Sequence, residues 1–185
     1  MNKQDRDQDQ DSSETQAIGR MMMYLMWIVL IAMAVGWYFN DTLKQRHNPN
    51  QQFASHIETG GDRIVVLERN AYGHYVSSGK INGQEVQFFL DTGATEVSIP
   101  ENIAEKLYLK KGAQFLVSTA NGSTTVYATK IESIELGSIK LSNIPAHINP
   151  NMDSDDILLG MSFLKHLEFS QKGRELTLKQ LATAP

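Results

Sequence analysis

Phe88-Phe89-Leu90-Asp91-Thr92-Gly93-Ala94-Thr95-Glu96-Val97-Ser98-Ile99-Pro100 runs from three large apolar residues into a carboxylate, turns at a glycine and leaves along a second β-type run. An acid in this position is expected to be partly buried, and an isolated buried carboxylate resists ionisation. Compensation has to come from the turn. Gly93 permits a positive φ or a close backbone approach, and such a turn aims amide N–H groups and the Thr92 hydroxyl at a neighbouring anion. Asp91 is therefore the candidate catalytic residue.

The triplet Asp-Thr-Gly is short enough to arise by chance, so its context carries the weight. It lies between β-type runs at Val86–Leu90 and Glu96–Ile99 and reads as strand, acid-bearing loop, strand. The segment Phe89–Ala94 resembles the active-site loop of retropepsin-like aspartic proteases, where an apolar strand leads into Asp-Thr-Gly-Ala or Asp-Thr-Gly-Ser. Downstream, Ile157-Leu158-Leu159-Gly160 and the short helical stretch after it are similar to that family's second element. Taken alone, Leu158, Leu159 and Gly160 read as a core strand with a packing glycine, supporting Asp91 rather than acting chemically. The resemblance spans residues 63–179 and implies a mostly β, closed acid-protease barrel with two short helices. The plain alternative for Asp91-Thr92-Gly93 is a β-turn whose acid accepts from its own backbone.

Peptide hydrolysis needs a base to activate water and an acid to protonate the leaving nitrogen. Two carboxyls that share one proton supply both without a metal, because at short range they cannot both ionise. The chain has no second Asp-Thr-Gly or Asp-Ser-Gly, so the other carboxyl is expected from a second copy set across a two-fold axis. The resemblance implies the remaining roles. Asp91 of each subunit meets at the axis, Thr92 joins the two loops by hydrogen bonds, Gly93 amides hold the carboxylates coplanar, and Ala94 completes the loop. It also implies a flap at Ala120-Asn121-Gly122, closing over an extended peptide, although viral flap tips are richer in glycine; an ordinary surface hairpin fits the same residues. The implied partners are a second copy and a peptide or protein substrate. The competing reading is a catalytically silent, membrane-tethered scaffold or peptide binder built on the same barrel.

Composition excludes other chemistries. The 185 residues include no Cys, which removes disulfides, thiolate metal sites and Cys nucleophiles. A formal charge of −4 has the wrong sign for a nucleic-acid surface. The five His are scattered without ligand spacing, so neither a metal nor a cofactor is expected, and His74, His147 and His166 read as surface or packing residues. Asp153, Asp155 and Asp156 read as a solvated loop that lacks the glycine and closing glutamate of a Ca²⁺ loop.

Residues 1–20, acidic and almost free of apolar side chains, read as a disordered tail. Residues 21–39 form an uncharged run that would be roughly 28 Å long as a helix, close to the hydrocarbon thickness of a bilayer. Tyr24, Trp27, Trp37 and Tyr38 lie near its ends, where aromatic rings favour the interface. A cleaved signal peptide competes through Ala32-Met33-Ala34, but the apolar run continues past that site and favours a retained transmembrane helix. Arg20, Lys44 and Arg46 flank both ends and do not decide the orientation. Similarity to membrane-anchored retropepsin-like proteins of bacteria implies a single-pass inner-membrane anchor with the domain in the periplasm. Residues 40–62 read as a flexible linker and 180–185 as a C-terminal tail.

Between them, short β-type runs recur at Ile64–Leu67, Tyr75–Ile81 and Glu85–Leu90, the last two joined by Asn82-Gly83 as a hairpin. Glu101–Tyr108 carries helical spacing after Pro100. Strands are then expected at Phe115–Thr119, Thr124–Ile131, Ile134–Leu136, Ile139–Leu141, Ile144–Ile148 and Ile157–Leu159. A short helix over Met161–His166 and a hairpin of Leu167–Phe169 with Glu175–Leu178 close the domain.

Overall fold

A computed structural model describes residues 3–119 and 122–182. The chain divides into two units, Met1–Lys44 and Gln45–Pro185. The first unit belongs to one helix, α1 (Lys3–His47). Its segment Gly19–His47 is long and apolar enough to cross a membrane; its apolar 18-residue window has a mean hydropathy of 1.9, with none of it buried against protein. Side chains from Met21 to Phe39 are exposed on every face, the pattern of a helix solvated by lipid or removed as a signal sequence. The stretch 1–20, expected to be disordered, is helical from Lys3 onward. Nucleation is the costly step of helix formation, and a helix already established in the apolar run can be extended through Gln and Arg even with the weaker formers Asp and Ser among them.

The second unit holds β1 (Ala54–Ile57), β2 (Arg63–Glu68), β3 (Val76–Ile81), β4 (Gln84–Leu90), β5 (Val97–Pro100), β6 (Gln114–Thr119), β7 (Gly122–Leu136), β8 (Ile139–Asn149), β9 (Asp156–Leu159), β10 (Glu168–Lys172) and β11 (Glu175–Gln180). Two short helices, α2 (Glu101–Lys106) and α3 (Met161–Leu164), follow β5 and β9. The larger sheet runs β3-β4-β9-β5-β8-β7-β6, and pairing of Lys80 and Ile81 with Glu135 and Ile134 joins β3 back to β7. That contact closes the sheet into a barrel and leaves β6, paired only with β7, as its edge strand. A second sheet, β1-β2-β11-β10, ends on β10.

Apolar residues at strand spacing fill the interior. Phe88, Ile99, Ile131, Ile134, Ile157, Leu159 and Phe163 are fully buried in one cluster with Val65, Leu67 and Leu178 of the second sheet. The β3–β4 connection shows how local chemistry sets register. Asn82 and Gly83 adopt φ 50° and 81°, the positive pair that a two-residue hairpin requires and that an Asn-Gly sequence supplies.

Further expectations are corrected. The stretches read as separate strands at 124–131 and 134–136 are one strand, β7, and 139–141 and 144–148 are one strand, β8. The ladder passes from Ile131↔Ile144 to Ser133↔Ser142 in unchanged register, with Asn143 at a φ of 59°, so the long hairpin runs on through this point. Much of the segment 40–62 is folded rather than a linker. Asn48 and Asn50 are buried; the Asn50 amide donates to the carbonyls of Glu68 (2.8 Å) and Val76 (2.7 Å), and its oxygen accepts from the Glu68 N–H (2.6 Å). Ala54–Ile57 then pairs with β2. At the other end, Gln180 belongs to β11 rather than to a tail.

Asp156 is buried rather than solvated, accepting from the Gln87 amide and meeting His47 Nε2 at 2.7 Å. Replacing Asp156 with Ala leaves both groups without their partner, and an unsatisfied buried polar group costs about 1–3 kcal/mol. Chemical denaturation of the detergent-solubilised protein is expected to show a loss of that size, with a smaller loss for His47→Ala because its side chain is 42% exposed.

Candidate active site

The site is built from three strands. β9 lies between the two strands that flank the acid-bearing loop, parallel to β4 (Phe89↔Leu158, Leu90↔Leu159) and bridged to β5 at Ser98↔Leu158. The ladder continues to the acid itself. Leu90 N–H donates to the Tyr75 carbonyl (3.0 Å) and Asp91 N–H to the Leu159 carbonyl (3.3 Å). The chain then turns, with Ala94 N–H returning to the Asp91 carbonyl (3.3 Å) and Gly93 N–H donating to Asp91 Oδ1 (2.8 Å). Asp91 and Ala94 are half-buried, whereas Thr92 and Gly93 are exposed. Gly93 serves through space rather than a positive φ, since a Cβ there would stand 3.1 Å from Asp91 Oδ1.

The far limb of the loop is clamped from below. Met161 N–H donates to the Ala94 carbonyl (2.8 Å) and Ser162 N–H to the Thr95 carbonyl (2.9 Å). Ser162 Oγ accepts from Val97 N–H (3.0 Å) and donates to the Pro145 carbonyl (2.9 Å). Gly160 makes this possible. A Cβ on it would lie 2.7 Å from the Ala94 carbonyl oxygen and nearer still to that of Glu96. Leu159 is buried beneath the loop, and half-buried Leu158 reaches the surface beside Asp91.

Asp91 borders two concavities. One is a cleft of about 660 Å³ that includes Glu96, Phe115, Val117, His147 and Leu158. The other is a groove of about 670 Å³ lined by Phe89, Leu90, Thr92, Leu164 and Phe169. The β6–β7 hairpin stands beside the cleft, with the Thr119 hydroxyl donating to the Gly122 carbonyl at 2.8 Å and Gly122 at φ 109°. Of the expected flap, Ala120 and Asn121 lie outside the described residues. Among the described residues, no group of three or more His, Asp or Glu is placed to hold a metal ion.

Sequence reasoning missed Glu96 and His147 as neighbours. Parallel pairing of β5 with β8 sets Ser98 opposite His147, and His147 Nδ1 then lies 3.4 Å from Glu96 Oε2, 51 residues away. No local signal announces that meeting. Burial pushes the His147 imidazole below its ordinary pKa, against the upward pull of Glu96. Ser162 was missed for the same reason, as a lone Ser in a short helical stretch.

Residues 77–166 match the model of a family described as gag-polyprotein putative aspartyl protease. The chain superposes on the crystal structure of a retropepsin-like aspartic protease from Rickettsia conorii with a TM-score of 0.52 and 24% identity, covering 70% of this chain and 95% of that one. The folded unit has a retropepsin-like fold. An uncharacterized protein in the cobV 5′ region of Sinorhizobium sp is 32% identical over 117 residues, 62% of this chain and 50% of that protein. Uncharacterized protein RP867 of Rickettsia prowazekii (strain Madrid E) is 24% identical over 167 residues, 83% of this chain and 68% of that protein. The chain thus spans half the length of the Sinorhizobium relative.

Two outcomes follow from the retropepsin-like geometry. Gly160→Ala forces the β9–α3 backbone off the loop, and overpacking of this kind costs about 1–3 kcal/mol, which a shift in the denaturant midpoint measures. For His147, the unfolded chain binds more protons than the folded one between the folded pKa and about 6.5. Its contribution to stability is therefore complete above that value and is lost as pH falls through the folded pKa. The change in denaturant midpoint between pH 7.5 and 5.0 is expected to be smaller in His147→Asn than in wild type.

Proposed function

We propose that this protein is a membrane-anchored aspartic endopeptidase, active as a homodimer in which Asp91 of each copy shares one proton over an activated water. The aspartyl protease family match and the retropepsin-like fold support a peptide hydrolase. The observation that carries the reading is the position of Asp91, which is held by its own turn and opens onto two concavities. A shared-proton site needs two carboxyls held together, and the chain carries a single Asp-Thr-Gly, so a site of this type is completed by a second copy.

In this reading the groove beside Thr92 and Phe169 receives that copy. Phe169 is 48% exposed on β10, the terminal strand of its sheet, and burial of such a residue together with an unpaired strand edge favours self-association. The Tyr75 hydroxyl borders the same groove, buried and without a hydrogen-bond partner among the described residues. The cleft on the other side of Asp91 receives an extended peptide, with the β6–β7 hairpin acting as a flap, and Leu158, Leu159 and Gly160 hold the loop from beneath. The Gly19–His47 segment serves as the anchor, placing the domain on the periplasmic face of an inner membrane and raising its local concentration for dimerisation.

Purified full-length protein in detergent is expected to cut an unfolded protein substrate with a bell-shaped pH profile whose two apparent pKa values belong to the pair. Asp91→Asn is expected to lower kcat about 100- to 10,000-fold with an unchanged circular dichroism spectrum. Phe169→Glu is expected to yield monomers by sedimentation and to lose activity in parallel. Cleavage by a strictly monomeric form, or equal rates for wild type and Asp91→Asn, would sink the proposal.

A further inference from the structure

The cleft beside Asp91 has a chemical bias that peptide hydrolysis does not itself require. Phe115, Val117 and Leu158 give it an apolar side, and Glu96, His147 and Asn149 give it a polar one. Its titratable lining is Asp91, Glu96 and His147, with neither Lys nor Arg among the residues that form it. His147 is oriented on two sides, by Glu96 Oε2 at 3.4 Å and by the edge of the Phe115 ring, with centroids 6.0 Å apart at 86°. The His147 side chain is 11% exposed, whereas that of Glu96 remains 36% exposed.

These groups divide the work of recognition. Desolvation opposes a proton on His147, so near neutral pH the imidazole positions the Glu96 carboxylate without cancelling its charge. A carboxylate next to an apolar wall complements a side chain that carries a cation on an aliphatic stem. A neutral substrate residue at the same place would cover Glu96 without pairing it, and an acidic one would add a like charge.

We propose that this cleft selects peptides with a lysine or arginine near the scissile bond, the stem against Phe115 and Val117 and the cation on Glu96, which His147 orients. The inference rests on the protease reading above and adds its substrate class. Glu96 and His147 are specificity and positioning residues here, and Asp91 keeps the chemistry.

The test separates the two claims by measuring binding in a form that does not cleave. Fluorescein-labelled octapeptides, identical except for one residue moved through the four central positions, carry lysine, norleucine or glutamate there. They are titrated by anisotropy into full-length Asp91→Asn protein in detergent, with and without Glu96→Gln. At one position at least, lysine is expected to bind about tenfold tighter than norleucine, with glutamate weakest. Glu96→Gln is expected to abolish the lysine preference while leaving norleucine binding unchanged, and His147→Asn to reduce it partly. Equal affinity for lysine and norleucine at all four positions would overturn the inference, as would a lysine preference that survives Glu96→Gln. A lysine preference in a protein whose Asp91 form cuts nothing would refute the protease reading and leave the pocket assignment standing.

Discussion

The missing side chain of Gly160 is the constraint on which the site depends. Backbone lies directly on backbone there, with the carbonyls of Ala94 and Glu96 where any Cβ would stand. That approach brings Met161 and Ser162 N–H groups onto the loop and lets one hydroxyl, on Ser162, tie the loop's exit to Pro145 of β8. The loop is thereby held by paired main-chain groups, which are costly to leave unsatisfied once buried. A carboxylate carried on such a loop has little freedom to relax away from the geometry its neighbours impose, which is the kind of preorganisation that acid–base chemistry exploits.

From that clamp the rest of the barrel can be understood as support. β9 is only Asp156–Leu159, yet it contacts β4 on one side and β5 on the other, so the entry and exit of the acid-bearing turn share one central strand. Asp156 at its head is fastened to Gln87 and His47. The β3–β7 pairing closes the ring, and within it β5 pairs with β8 in the register that sets Ser98 opposite His147. The electrostatic character of the cleft is thus a product of strand order, because Glu96, just before β5, reaches His147 on β8 only when those two strands pair.

Local patterns account for a good part of this. The run Phe88–Leu90 followed by Asp91-Thr92-Gly93 read as strand, acid and turn, and Leu158-Leu159-Gly160 as a supporting strand, because each is a short-range arrangement of apolar and turn residues. Asn82-Gly83 likewise declared its hairpin through backbone preference alone. The misreadings share a cause. Asn48 and Asn50 look like linker residues until their amides are seen to satisfy Glu68 and Val76. Asp156 looks solvated beside Asp153 and Asp155 until a partner 109 residues away is placed on it. Ser133 and Ser142 look like breaks within β7 and β8, although the ladder runs through them.

What the chain by itself determined, then, is the strand-and-turn setting of Asp91, the apolar strands around it and the uncharged run 21–39 of the helix before them, since all of these follow from the chemistry of neighbours in sequence. What only the tertiary structure decided is which distant groups face one another: Gly160 against Ala94, His147 against Glu96, His47 against Asp156. Strand order and register are global outcomes of closing one sheet around a single core, and polar side chains find their partners only after that closure has set the distances.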